Sequence, residues 1–218
     1  MLKIERLSPV IGAEVSGANL ISPNDDEFKE LEQALSEYSV LFFRDQPRLS
    51  PKQQVAFATQ FGPLHSHPAA PVLEDDEAIF VIKTDANSKV ANGNGWHTDV
   101  SCDNEPPLVT MLQLHQLPET GGDTLFSSMY AAYETLSPKM KIFLADLDAS
   151  HESEHVYQGR YSDRGVEDKT EYPSSIHPIV ASHPISKRPS LYVLSLIHIS
   201  EPTRPERIAF AVVWVEKK

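Results

Sequence analysis

The residues best suited to chemistry lie in Trp96-His97-Thr98-Asp99, with Gly121-Gly122-Asp123-Thr124 a short way downstream. One residue separates His97 from Asp99, and in an extended strand positions i and i+2 point to the same face. An imidazole and a carboxylate would then converge on one point. They supply two of the three ligands of a 2-His-1-carboxylate facial triad, the set that leaves open positions on a non-haem ferrous ion for oxygen chemistry. A bare H-x-D carries little information, because nine His and thirteen Asp in 218 residues give roughly 0.5 such tripeptides by chance. Its surroundings say more. The turn-forming cluster Asn92-Gly93-Asn94-Gly95 precedes it, and the bulk of Trp96 could shield one side of a site. Metal binding would itself hold the imidazole neutral and the carboxylate ionised, by releasing protons.

The elements that must position these residues follow from hydrophobic spacing and turn chemistry. Ile11 to Leu20 alternates loosely around Gly12 and Gly17 and predicts a strand pair with a turn. Its G-x-x-x-x-G spacing is not a phosphate loop, since no Lys-Ser/Thr follows Gly17. Residues 26–37 place Phe28, Leu31 and Leu35 on one helical stripe, and Val40-Leu41-Phe42-Phe43 reads as a buried strand. Ser50-Pro51-Lys52-Gln53 predicts a helix start with Ser50 as cap, Pro51 at the first position and Gln53 completing a capping box. Gly62 is its expected stop. Strands are expected at Ile79–Ile82, around His97 and Asp99, at Val109–Leu114, at Ile176–Val180 and at Ser190–Val193. Helices are expected over 128–136 and from Ser137-Pro138. Early helices followed by short strands and proline turns predict a mainly β fold with flanking helices, arranged as a jelly roll.

Composition narrows the classes. A chain of 218 residues suits one domain with a sizeable core. A net charge of -12 argues against nucleic-acid binding, which needs a basic footprint. The single cysteine, Cys102, cannot form an internal disulfide, so a reducing, cytoplasmic setting is expected, with Cys102 as buried packing. The first residues lack an apolar signal region and no later run approaches 18 apolar residues, so neither secretion nor a membrane span is expected. Homo-oligomer formation stays open.

Several blocks together resemble the taurine dioxygenase (TauD/TfdA) family of ferrous, 2-oxoglutarate-dependent dioxygenases. They include Ile11-Gly12-Ala13-Glu14-Val15-Ser16-Gly17-Ala18, Leu41-Phe42-Phe43-Arg44-Asp45-Gln46 and Phe61-Gly62-Pro63-Leu64-His65-Ser66-His67-Pro68. Trp96-His97-Thr98-Asp99-Val100-Ser101, Leu117 to Leu125, and His177-Pro178 with His183-Pro184 follow in family order. The resemblance implies a double-stranded β-helix of cupin-like type, His97 and Asp99 as Fe(II) ligands, and Thr124 at the carboxylate of 2-oxoglutarate. It also implies a small anionic substrate, taurine or another alkylsulfonate, hydroxylated with O2. His67 matches the family histidine that meets a sulfonate. Where a pocket asparagine is expected, direct counting gives Gly93, flanked by Asn92 and Asn94, and Asn94 is taken as the substrate residue. Val156-Tyr157 stands where Ser-Phe is expected, which makes Tyr157 the third substrate residue. Arg160 nearby reads more simply as a solvated side chain. His151-Glu152-Ser153-Glu154-His155 spells H-E-x-x-H, but its polar flanks predict a loop rather than a zinc-binding helix.

The resemblance stops at Val193. Leu194 to Pro205 resembles the translation of a sequencing-adapter read, so 1–193 is expected to be the N-terminal part of the dioxygenase domain and 194–218 a non-native tail. The family's distal histidine and 2-oxoglutarate-binding arginine then have no counterpart. His198 does not match in spacing, and Pro202 and Pro205 disfavour a core strand there. The barrel is expected to be incomplete at its C-terminal side, with an open sheet edge and exposed core, and the chain as written to be inactive. Two other readings compete: a cupin-like metal-binding or isomerase barrel without oxygen chemistry, and an inert fragment.

Overall fold

The computed structural model describes residues 2–66, 72–73, 76–83, 95–159 and 171–193. Strand β1 (Lys3–Arg6) pairs antiparallel with β2 (Ala13–Ser16), Lys3 opposite Ser16 and Arg6 opposite Ala13. The expected pairing within 11–20 is therefore replaced by one with the chain's first residues. Gly12 and Gly17 take φ of 90° and 80° at the two ends of β2, a backbone region that costs glycine little. Helix α1 (Asp25–Tyr38) carries the chain to β3 (Leu41–Phe42), which lies parallel to β2. Asn24 caps α1 by accepting from the amides of Asp26 and Glu27, and the Glu27 carboxylate returns to the Asn24 amide at 3.1 Å. Leu31 of the expected stripe is buried, while Phe28 and Leu35 are half-buried.

Helix α2 (Pro51–Ala58) has the expected start: Ser50 accepts from the Gln53 amide, and the Gln53 side chain accepts from the Ser50 amide at 2.9 Å. A single 3₁₀ turn (Thr59–Phe61) extends it to Gly62, whose φ of 136° ends it. Leu2, Val15, Leu20, Leu31, Leu49 and Phe57 form the core between sheet and helices, with Ile4, Phe43, Phe61 and Met111 packed against it. Strands β4 (Val72–Leu73) and β5 (Asp76–Phe80) form a separate antiparallel pair.

Residues 95–128 carry no ladder strand, so the strands expected around His97/Asp99 and at Val109–Leu114 are absent as such. The second run nevertheless alternates: Val109, Met111 and Gln113 are half-buried, Thr110, Leu112 and Leu114 exposed. The Gln113 side chain fixes this register by accepting from the Leu49 amide at 2.6 Å and donating to the Leu49 carbonyl at 3.1 Å. A glutamine amide thus stands in for one rung of a ladder. Among the described residues its own backbone groups bond no neighbouring strand, and the run belongs to no sheet there.

Helices α3 (Met129–Glu134) and α4 (Pro138–Leu144) follow, capped by Ser128 and Ser137. Strand β6 (Asp148–Glu152) pairs antiparallel with β7 (Ser174–Pro178), and β8 (Val180–Ser182) with β9 (Pro189–Leu191). The short helix α5 (Glu154–Tyr157) follows β6. The described residues thus form four small sheets with flanking helices. None of their helices is long and apolar enough to cross a membrane.

Candidate metal centre

His97 lies in an irregular stretch and Asp99 begins a turn. The convergence expected of a strand arises differently here. The His97 Nδ1–H donates to the carbonyl of Gly95 at 2.8 Å, which leaves the lone pair of the neutral ring on Nε2. Nε2 stands 3.4 Å from Asp99 Oδ1. Two donors at that separation can both reach one cation at about 2 Å each. The other carboxylate oxygen, Oδ2, accepts from Thr110 Oγ1 at 2.8 Å. Both side chains remain partly open, at 26% and 36% exposure, so an ion has access. The donor set, one neutral imidazole and one carboxylate, fits Fe(II) or another first-row divalent ion. Among the described residues, no group of three His, Cys, Asp or Glu side chains is placed to hold a metal.

The turn after Asp99 is held from several directions. Val100 has φ of 44°, a conformation that costs a β-branched residue about 1–3 kcal/mol, and the Asp103 amide closes the turn on the Val100 carbonyl at 3.0 Å. The Asp103 carboxylate meets His65 Nε2 at 2.5 Å, and the Asp103 carbonyl accepts from His177 Nε2 of β7 at 2.9 Å. Cys102 is buried as expected. Burial pushes its thiol up and the Asp103 charge adds to this, while hydrogen bonds with Ser153 and Tyr157 oppose it. Behind it, His151 stacks on Tyr192 with ring centroids 5.2 Å apart and meets the His177 ring edge-on at 5.1 Å. Tyr192 is pushed up to about 12, by burial first and then by the Cys102 and Asp103 charges.

The expected site residues divide as follows. His97 and Asp99 are adjacent. Thr124 is half-buried on the extended stretch between the Gly121-Gly122 turn, where both glycines have φ near 75°, and α3. That stretch is anchored by an edge contact between Phe126 and Phe42. Tyr157, at the end of α5, reaches the metal turn through Cys102. His67 and Asn94 lie outside the described residues, as do Arg160 and His198. The H-E-x-x-H segment is not the loop expected: His151 and Glu152 end β6 and His155 lies in α5, so the two histidines do not share a helix face. Sequence reasoning missed Thr110 and Asp103. Each acts across a distance that no local pattern encodes. A shallow cleft of about 510 Å³ borders the turn along Cys102–Glu105 and Pro173–Ser175 but includes neither His97 nor Asp99. Its Asp103 and Glu105 carboxylates disfavour an anionic guest there.

Residues 3–209 match the family described as taurine catabolism dioxygenase TauD, TfdA family. The chain belongs to the TauD/TfdA family. The matched interval runs past Val193 into the segment expected to be foreign. This TauD/TfdA chain is 35% identical over 200 residues to an alkylsulfatase of Acinetobacter baylyi, covering 87% of the chain and 62% of that protein. A taurine dioxygenase structure from Burkholderia xenovorans superposes with a TM-score of 0.68 at 28% identity, over 90% of this chain and 64% of the other. The structure of AAD-2 in complex with Mn(II) and N-oxalylglycine gives a TM-score of 0.63 at 26% identity, over 88% and 69%. The fold is thus that of the TauD dioxygenase structures, and the chain spans a little under two thirds of the alkylsulfatase it matches.

Proposed function

We propose that this chain carries the metal-binding half of a Fe(II)- and 2-oxoglutarate-dependent dioxygenase acting on a small organic sulfonate or sulfate ester. The observation that carries this reading is the approach of His97 Nε2 to Asp99 Oδ1, each donor held from behind by Gly95 or Thr110. His97 and Asp99 would hold the ion. Fe(II) with 2-oxoglutarate and O2 supplies oxidative hydroxylation of a C–H bond, with succinate and CO2 as co-products. The protein's own part is placement. The Gly95 carbonyl keeps the His97 proton on Nδ1, and Thr110 keeps Asp99 turned toward His97. The Thr124 hydroxyl would donate to the 2-oxoglutarate carboxylate, and His67, Asn94 and Tyr157 would face the substrate anion.

Support for the cosubstrate comes from N-oxalylglycine, an amide analogue of 2-oxoglutarate, bound with Mn(II) in one relative. Support for the substrate class comes from an alkylsulfatase and a taurine dioxygenase among the relatives. Taurine, other alkylsulfonates and alkyl sulfates are the substrates to assay first. The small sheets would belong to a double-stranded β-helix, in keeping with the likeness to TauD dioxygenase structures. The experiment is succinate formation from 2-oxoglutarate with Fe(II), measured on this chain and on an extended protein in which residues 1–193 are joined to the part of the alkylsulfatase that follows the matched region. Turnover by the extended protein that needs Fe(II) and a sulfonate or sulfate ester supports the reading. Metal binding without oxygen uptake by the extended protein would replace it with a cupin-like barrel that does no oxygen chemistry.

A further inference from the structure

We propose that Thr110 is a positioning residue for the metal site: its hydroxyl holds Asp99 Oδ2 and so leaves Oδ1 turned toward His97 Nε2. This rests on the reading of His97 and Asp99 as metal ligands. The hydroxyl donates to Oδ2 at 2.8 Å, and Oδ1 lies 3.4 Å from Nε2. The two oxygens of one carboxylate therefore have separate partners.

The backbone explains why Thr110 reaches Asp99. Met111 packs on the core and Gln113 is locked to both backbone groups of Leu49, so the 109–114 stretch has a fixed register. A period of two then puts Thr110 on the opposite face from Met111 and Gln113, across from the turn at Asp99. The branched Cβ of threonine restricts χ1, so little freedom is lost when the hydroxyl is aimed. A carboxylate accepting a hydrogen bond on one oxygen is oriented for its metal through the other, the usual arrangement behind a ligating carboxylate. Asp99 needs such support more than a strand residue would, because it begins a turn whose next residue has a positive φ.

The test is titration of the 218-residue chain with Co(II), following the visible absorption of the bound ion, in wild type, Thr110→Val, Thr110→Ser, His97→Ala and Asp99→Ala. The expected result is about a 10-fold loss of affinity in Thr110→Val, with an altered Co(II) spectrum. Thr110→Ser should stay within about threefold of wild type, since it keeps the hydroxyl. Wild-type affinity and spectrum in Thr110→Val would overturn the inference while leaving the metal site standing. Equal losses in Thr110→Val and Thr110→Ser would also overturn it, by assigning the effect to the methyl group's packing. Wild-type protein that binds no Co(II), or binds it as well after His97→Ala and Asp99→Ala, would remove the site reading and this inference with it.

Discussion

His151 makes a quantitative prediction about acid stability. It is 1% exposed, and neither ring nitrogen has a hydrogen-bond partner among the described residues. Burial first, and the neighbouring His177 second, hold its pKa down at about 4, with the Tyr192 backbone opposing the shift without closing a well-formed hydrogen bond. A histidine depressed when folded takes up protons more readily in the unfolded chain. Its contribution is therefore complete above the unfolded value of about 6.5 and declines as the pH falls toward 4. Linkage gives a loss of about 1 kcal/mol at pH 5.5 and about 3 kcal/mol at pH 4, relative to pH 7. His151→Phe keeps an aromatic ring against Tyr192 and removes the titrating group. At pH 7 this variant should be at least as stable as wild type, because an unpaired buried polar ring is replaced by an apolar one of similar shape. Urea unfolding between pH 7 and 5, above the range of ordinary carboxylates, isolates the term. The difference in unfolding free energy between variant and wild type should widen by about 1 kcal/mol at pH 5.5. Parallel pH dependence in the two proteins would refute the reasoning.

Three further outcomes are expected. Gln113→Ala should destabilise by about 1–3 kcal/mol in urea unfolding, because it leaves the Leu49 amide and carbonyl unpaired beside a buried side chain. Leu31→Ala, at a position 1% exposed in the core, should cost about 2–5 kcal/mol by calorimetry or denaturant. Resequencing the source gene across the codons for Val193 to Pro205 should show the reading frame diverging after Val193; a continuous genomic read of the present sequence would establish residues 194–218 as native.

What could be read from the sequence was local. Ser50, Pro51 and Gln53 lie within four residues, so their capping geometry is written in the order of the residues, and α2 starts where they require. Asn24 and Glu27 form the same device at α1, which the hydrophobic stripe located without naming its cap. The His97/Asp99 pair is visible in its spacing, but a regular strand is not how it is built. A local turn and a carbonyl two residues back bring the two side chains together instead. The 109–114 run shows the limit of periodicity. Its alternation is present, but a ladder needs a neighbouring backbone, and that is a tertiary fact. Likewise β2 finds its partner in residues 3–6, beyond the turn at Gly12. Thr110 on Asp99, eleven residues away, and His65 on Asp103, thirty-eight away, depend on the folded backbone and have no sequence signature.

The central claim is that His97 and Asp99 share one metal ion. Anaerobic calorimetric titration of the 218-residue chain with Fe(II) tests it most directly. One ion per wild-type chain, weakened at least about 10-fold by either His97→Ala or Asp99→Ala, is the result this site predicts. Fe(II) binding of unchanged affinity and stoichiometry in both variants would contradict it.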